Sequence, residues 1–118
     1  MKQFTLIFRT RDNSNFKPSP EQMQEILNDW SNWMGSIAAQ DKLADRGNRL
    51  SVKDAKTVNS NNTVTDGPYT EIKEFINGYI IVKTNDVDEA VALAKGCPIL
   101  KTGGNVEVRT VVSMDDNS

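Results

Sequence analysis

The chain has 118 residues, which is enough for one domain with a real core and too few for two. Its hydrophobic content of 37% and charged content of 25% are typical of a globular protein, and its formal net charge is −2. A dedicated nucleic-acid-binding domain normally carries a clustered basic face, whereas the basic residues here are scattered among acids. We therefore expect no direct contact with nucleic acid.

Two residue counts exclude whole classes of chemistry. The chain has no histidine, so a Ser-His-Asp triad, a Cys-His pair and a histidine metal site are all impossible. The single cysteine, Cys97, excludes an intramolecular disulfide and a cysteine-rich zinc site, and its neighbours favour a small buried residue at a helix end. We expect no metal and no cofactor, so any acid–base chemistry must use carboxylates, lysine, tyrosine or the thiol.

The chain shows no targeting or membrane-spanning pattern. No signal peptide is recognised before the first predicted strand, and no apolar stretch approaches the length that crosses a bilayer. We expect a cytoplasmic protein with no membrane partner. The single domain is predicted over residues 1–113, with a frayed polar tail at residues 114–118.

The first half of the chain begins with a strand and a long helix. Apolar and polar residues alternate over residues 2–10, which predicts a half-buried strand. Ser19 can cap a helix, Pro20 suits its first position and Gln22 can complete a capping box, so a helix is predicted to about residue 40. We place Trp30 in the core and Trp33 at the rim. The predicted buried stripe of the helix is Met23, Ile26, Leu27, Trp30, Met34, Ile37 and Ala38.

The second half contains four shorter strands and a second helix. A weak, edge-like strand is predicted over residues 50–59, a tight turn at residues 60–63 and a return strand at residues 63–65. A buried strand follows at residues 78–84 and a helix at residues 86–95, with Asp86 as its cap. The predicted buried stripe of this helix comprises Val87, Ala90, Val91 and Ala94. The last strand is predicted over residues 105–112.

This order predicts an α+β protein with a ferredoxin-like βαββαβ plan, an elaborated central hairpin, and two helices on one face of an antiparallel sheet. The opposite face would then present Thr5, Ile7, Arg9, Tyr79, Ile81, Lys83, Glu107, Arg109 and Val111. That mixture is too apolar for a solvent face and too charged for a core. We expect a homodimer in which two such faces pack together, and the alternative is a monomer in which lysine and arginine stems cover the apolar positions.

Residues 65–74 read T-D-G-P-Y-T-E-I-K-E. This segment resembles the signature of the DGPF branch of the YCII-related proteins. That signature reads roughly D-G-P-F-x-E-x-K-E, followed by a strand that starts with glycine and an aromatic residue. The residues that correspond are Asp66, Gly67, Pro68, Tyr69 in place of phenylalanine, Glu71, Lys73, Glu74 and Gly78-Tyr79. The resemblance extends through the S-P-E-x-M helix start, the D-E-A helix, Cys97-Pro98 and the closing E-V-R strand.

The resemblance implies a ferredoxin-like fold that dimerises as an α/β barrel. It also implies a link to an alternative sigma factor, which members of the DGPF branch often accompany. In the namesake branch a His–Asp pair is credited with catalysis. Because this chain has no histidine, that catalysis does not carry over, and Asp66 alone does not replace the pair.

The candidate site combines the signature segment with the open sheet face. Asp66 and Glu71 are the candidate catalytic carboxylates, and Arg9 or Arg109 would hold a small anionic organic ligand. A structural explanation stays open, because Asp-Gly-Pro can simply end a strand and Thr70 can cap a helix. The full set of predicted ligand-binding residues is Arg9, Asp66, Tyr69, Glu71, Lys73, Glu74, Tyr79 and Arg109.

Two functions remain open from the sequence. The first is a dimeric domain that binds a small ligand or regulates a partner, without catalysis. The alternative is a small-molecule enzyme, an isomerase or lyase that acts on a small organic acid by carboxylate acid–base chemistry in the barrel cavity.

Overall fold

A computed structural model of the chain describes residues 1–11, 17–68 and 74–115. Within these residues the protein is of the predicted α+β class, with two α-helices and mostly antiparallel sheet. The elements in chain order are β1 (Lys2–Arg11), α1 (Pro20–Ala39), β2 (Leu43–Arg49), β3 (Lys56–Val58), β4 (Val64–Asp66), β5 (Glu74–Thr84), α2 (Val87–Ala94), a short 3₁₀ helix (Pro98–Thr102) and β6 (Asn105–Thr110).

Four strands form one antiparallel sheet in the order β2-β5-β1-β6. The central strand β1 pairs through Phe4 with Val82 of β5 on one side and with Thr110 of β6 on the other. Strands β3 and β4 pair with each other in a separate two-stranded sheet. The described strands leave β2 and β6 as the edges of the main sheet, so this chain alone forms no closed barrel.

The core lies on one face of the main sheet. Successive side chains of a strand point to opposite faces, which places the even-numbered residues of β1 together. One buried cluster contains Phe4, Leu6, Phe8, Ile80 and Val82 from the strands, Trp33 and Ile37 from α1, and Ala90 and Ala94 from α2. Because both helices contribute to this cluster, both lie on the same face, as the sequence predicted.

The start of α1 is the capping box that the sequence predicts. The Ser19 hydroxyl accepts from the backbone N–H of Gln22, and the Gln22 side chain accepts from the backbone N–H of Ser19. These two bonds satisfy N–H groups that have no partner within the helix.

The predicted buried stripe of α1 is wrong at Met23 and Leu27 in its first half and at Ala38 near its end, because these residues are exposed. Trp33 packs on Phe8, and the part of α1 that precedes Trp33 is about 20 Å long. Only about 10 Å of β1 continues beyond Phe8. The first turns of α1 therefore extend past the end of that strand.

The predicted positions of the two tryptophans are reversed. Trp33 is buried and Trp30 is half-buried, and both rings pack edge-to-face against Phe8 at centroid distances of 5.9 and 5.1 Å. The Nε1–H group of Trp33 donates to the carbonyl of Leu93 at 3.0 Å. This bond lets the indole be buried between the two helices, because a buried N–H needs a partner.

The strand predicted at residues 50–59 is present only at residues 56–58, as β3, and the sequence missed β2, the second strand of the main sheet, which precedes it. Strand β2 is an edge strand whose register against β5 shifts twice. Gly47 has φ +63, and the Asp45 carboxylate accepts from its N–H group at 2.7 Å. The predicted hairpin is present further on as β3 and β4, with Asn62 at φ +68 in its turn.

The C-terminal half follows the prediction more closely. Strand β5 begins at Glu74, four residues before the predicted start, and Asp86 caps α2 by accepting from the N–H of Glu89. Val87 is exposed rather than buried, because it is the first residue of α2 and precedes the turn that packs on the sheet. Cys97 is buried, and burial raises the pKa of its thiol to about 11. Neither helix in the described part of the chain is long and apolar enough to cross a bilayer.

Candidate functional site

The face of the main sheet that points away from the helices is the open face, and it carries the candidate site. Its central residues are Ile7, Tyr79 and Ile81, each half-buried in the single chain. Ile7 lies between Tyr79 of β5 and Glu107 of β6, and Thr5 lies beside Ile81. An apolar centre with a charged border therefore occupies the surface that the alternation pattern predicts.

A cluster of two arginines and one glutamate lies on the β1–β6 side of the open face. The Nη1 atom of Arg9 contacts Oε1 of Glu107. The Nη1 atom of Arg109 donates to Oε2 of the same carboxylate at 2.9 Å. The Arg9 side chain is half-buried, whereas that of Arg109 is 68% exposed. Each guanidinium carries five N–H donors, so Glu107 uses only a part of what the two arginines offer.

The two arginines also determine the ionisation of Glu107. Hydrogen bonds from Arg109 and then Arg9 hold the pKa of this carboxyl below its ordinary value of 4.5, against the opposing effect of partial burial. Glu107 is therefore ionised at neutral pH and is a weak base. It is better suited to fixing the two guanidinium groups than to accepting a proton from a substrate.

Two further predicted residues lie on the same face. Glu74 pairs with Arg11 in the register of β5 and β1, and its Oε2 accepts from Nδ2 of Asn105 at 3.3 Å. The hydroxyl of Tyr79 accepts from Nδ2 of Asn48 of β2 at 3.3 Å. The structure thus brings together on one face the predicted residues Arg9, Glu74, Tyr79 and Arg109.

Asp66 does not belong to this group. It ends β4 in the separate hairpin, where it forms an ion pair with Lys56, and its side chain is 89% exposed. The turn after it has a structural role, because the N–H of Gly67 donates to the carbonyl of Ala55 at 2.7 Å and the Gly67 carbonyl accepts from Thr57 Oγ1 at 2.9 Å. Within its own chain, Asp66 therefore lies outside the open face.

Three predicted site residues, Tyr69, Glu71 and Lys73, lie outside the described residues, as does Thr70. Their roles stay predictions. Across residues 1–11, 17–68 and 74–115, no group of three or more histidine, cysteine, aspartate or glutamate side chains is placed to hold a metal ion.

Sequence reasoning placed Glu107 on the open face without naming it as a site residue. The signal that points to it is its spacing, since it lies two residues before Arg109 and directly beside β1, so the three charged side chains share one face. Glu107 is therefore the addition that the structure makes to the candidate site.

Comparison with protein families decides the affiliation of the chain. The model of the YCII-related domain matches residues 3–115, which includes all the described helices and strands except Lys2, the first residue of β1. The chain belongs to the YCII-related family. Comparison with curated proteins gave no significant match. For this YCII-related domain, any more specific function has to be argued from its own residues.

Proposed function

We propose that this YCII-related domain, in its DGPF branch, is a homodimeric module that binds a small organic anion without transforming it. The observation that carries the proposal is the cluster on the open face in which Arg9 and Arg109 share the single carboxylate of Glu107. Guanidinium groups recognise carboxylates by paired hydrogen bonds, and both arginines keep donors that Glu107 does not use.

The charge around this cluster favours an anion. By register of the described strands, the charged residues of the open face are Arg9, Arg11, Lys83 and Arg109 with Asp45, Glu74 and Glu107, which leaves one positive charge in excess. The aromatic ring of Tyr79 lies one strand away, next to Ile7, and offers an apolar wall for the carbon part of an organic acid.

The open face also supports a homodimer. The order β2-β5-β1-β6 supports the inference of a ferredoxin-like βαββαβ unit in which β3 and β4 are inserted between the second and third strands. Such a sheet leaves one face bare, and here that face carries Ile7, Tyr79 and Ile81. Packing against the same face of a second copy would bury these side chains and enclose the arginines in a barrel-like interior.

An enzyme is the alternative that the sequence left open, and the described carboxylates give it little support. Asp66 is exposed and ion-paired with Lys56 on the hairpin. Glu107 has a lowered pKa, because Arg109 and Arg9 stabilise its ionised form. A general base that works near neutral pH needs the opposite shift, so Glu107 is not prepared for proton transfer. Cytoplasmic location and a sigma-factor link stay predictions.

The test is a thermal-shift screen of small carboxylic acids on the wild type and on Arg109→Gln. Arg109 is exposed, so its replacement should leave the fold intact. A ligand present at a hundred times its dissociation constant should stabilise the wild type by about 2.7 kcal/mol, a shift of several degrees in a domain of this size. We expect that shift to disappear in Arg109→Gln.

The matched control is Lys101→Gln, which removes an exposed positive charge from the 3₁₀ helix, away from the open face. A ligand whose effect survives in Lys101→Gln and is lost in Arg109→Gln supports the proposal. A ligand whose effect is lost instead in Glu71→Gln assigns binding to the signature segment. The absence of any stabilising acid overturns the small-anion proposal and directs the search to a protein partner.

A further inference from the structure

The hairpin between β2 and β5 is the part of the molecule that the proposed binding role does not use. We call residues 51–68 the arm. Its strands, β3 and β4, pair with each other and not with the main sheet. An isolated two-stranded hairpin is at best marginally stable in water, so an arm of this kind normally needs a surface to pack on.

One face of the arm is apolar at its centre and exposed. Val58 and Val64 are directly opposite each other, and they are 68% and 59% exposed. On the same face, one step of the alternation away, Lys56 forms its ion pair with Asp66. The arm thus presents a cross-strand valine pair beside a charge pair with no net charge.

The arm holds its shape through its own hydrogen bonds. At the tip, the N–H of Asn59 donates to the carbonyl of Thr63 at 2.8 Å, and Oδ1 of Asn61 accepts from the hydroxyl of Thr63 at 2.6 Å. At the base, Gly67 bonds to Ala55 as described above. These bonds fix the geometry of the face that the arm presents for docking.

The molecule has a larger radius of gyration than a compact domain of its length, which is consistent with a projecting arm. The radius of gyration is 16.0 Å, whereas a compact domain of this length would have about 13–14 Å. The described residues extend over 46 × 41 × 19 Å, so the molecule is broad and thin.

We propose that the arm is a clasp, whose Val58–Val64 face packs on a second copy of this chain when two open faces meet. This inference rests on the homodimer of the proposed function. The arm leaves the main sheet at Arg49, the end of edge strand β2, and Leu50 is still joined to it by a hydrogen bond to Asn77 of β5 at 2.7 Å. It therefore starts at the border of the open face, and in a two-fold dimer each arm adjoins the partner protomer.

A second copy is the occupant that the area and charge favour. Four strands and six paired residues of β1 and β6 give the open face a flat area of about 400 Å². A stable interface buries about 800 Å² of accessible surface on each partner, and two clasping arms would add their own contact to that of the sheets. The neutral pair Lys56–Asp66 selects no strongly charged partner, and it can be repeated across a two-fold axis without repulsion.

The test is sedimentation equilibrium on the wild type, on the arm variant Val58→Ser/Val64→Ser and on the sheet variant Ile81→Lys. The matched control is Val87→Ser, which removes an exposed valine from the start of α2. We expect a wild-type dimer and an arm variant whose dissociation constant rises by about a hundredfold or more, because each dimer loses four partly buried valines. Val87→Ser should dimerise as the wild type does.

The fold of each variant is checked independently of assembly. Both tryptophans lie in the core cluster around Phe8 and not in the arm, so an unchanged tryptophan emission spectrum shows that the main domain is intact. If the arm variant dimerises like the wild type while Ile81→Lys is a monomer, the clasp is wrong and the homodimer stands. If the wild type is a monomer at every concentration, the homodimer fails and the clasp fails with it.

Discussion

Single residues matter most where the backbone of β2 approaches β5. Gly47 has φ +63, a value that side chains with a Cβ rarely adopt. A Cβ atom at this position would lie 1.7 Å from the carbonyl oxygen of Tyr79. Glycine therefore allows β2 to bulge while staying paired with the strand that carries Tyr79.

Replacement of Gly47 by alanine is expected to destabilise the protein by about 2–4 kcal/mol, since the new methyl group overlaps backbone atoms and the backbone is strained. Urea unfolding measures the change. Gly35→Ala is the matched control, because a Cβ at Gly35 meets nothing within 4 Å and the residue lies inside α1. Alanine there should stabilise by about 0.5–1 kcal/mol. If both replacements changed the free energy of unfolding equally, the close approach of Gly47 to the backbone of Tyr79 would be contradicted.

Glu107 should contribute to the pH dependence of stability. Its folded-state pKa lies below the ordinary value of 4.5, because Arg109 and Arg9 favour the ionised form. Its contribution is therefore present above pH 4.5 and is lost as the pH falls through the folded-state pKa. We expect the free energy of unfolding to fall less steeply below pH 4.5 in Glu107→Gln than in the wild type. Parallel curves, measured by urea unfolding between neutral and acid pH, would rule this out.

At the scale of elements, the sequence is informative where one face of an element is buried. The alternation of β1 and β5 predicted the core face, because every second side chain of these central strands packs under the helices. Strand β2 lacks such a pattern. Leu43 is its one large apolar residue, its register shifts twice, and an edge strand needs no apolar face, so local periodicity could not reveal it.

The sequence also predicted only a part of the candidate site correctly. Alternation placed Arg9, Tyr79 and Arg109 on one face, and the strand register bears out that placement. Asp66 was grouped with them by the motif alone, and a motif does not determine which sheet its residues join. The hairpin that carries Asp66 is held by bonds such as Gly67 to Ala55, which no sequence pattern specifies.

The N-terminus of α1 offers a test at this scale. Ser19→Ala removes the hydroxyl that accepts from Gln22, which should cost about 1 kcal/mol of stability. Because Met23 and Leu27 are exposed, the first turns have little tertiary support, and their amides should exchange with solvent faster in the variant. Hydrogen exchange measures this loss. Ser31→Ala, on an exposed position inside the same helix, should leave exchange in the first turns unchanged.

At the scale of the whole molecule, the described residues form two layers, with helices on one side of the sheet and nothing on the other. The smallest dimension is 19 Å, about what one helix layer on one sheet requires. Ile7, Tyr79 and Ile81 are thus left half-buried at the centre of the open face. The stability of the fold should then depend on what covers this surface.

That dependence predicts a midpoint of urea unfolding that rises with protein concentration. In a dimer, association stabilises the folded state by mass action, whereas unfolding of a monomer is independent of concentration. We expect the midpoint of the wild type to increase over a hundredfold concentration range of about 1 to 100 μM, where protein dimers commonly dissociate. The midpoint of Ile81→Lys should stay constant, and a constant wild-type midpoint would contradict the homodimer.

The burial of Cys97 has a practical consequence for measuring the arm. A thiol reacts with maleimides and disulfide reagents as the thiolate, and a pKa of about 11 leaves almost none of Cys97 in that form at neutral pH. The native cysteine is also shielded from reagents by its burial. A fluorophore attached to an introduced Ser60→Cys at the exposed tip of the arm would therefore label one position per chain. Energy transfer between two such labels would report the separation of the arms in an otherwise native protein.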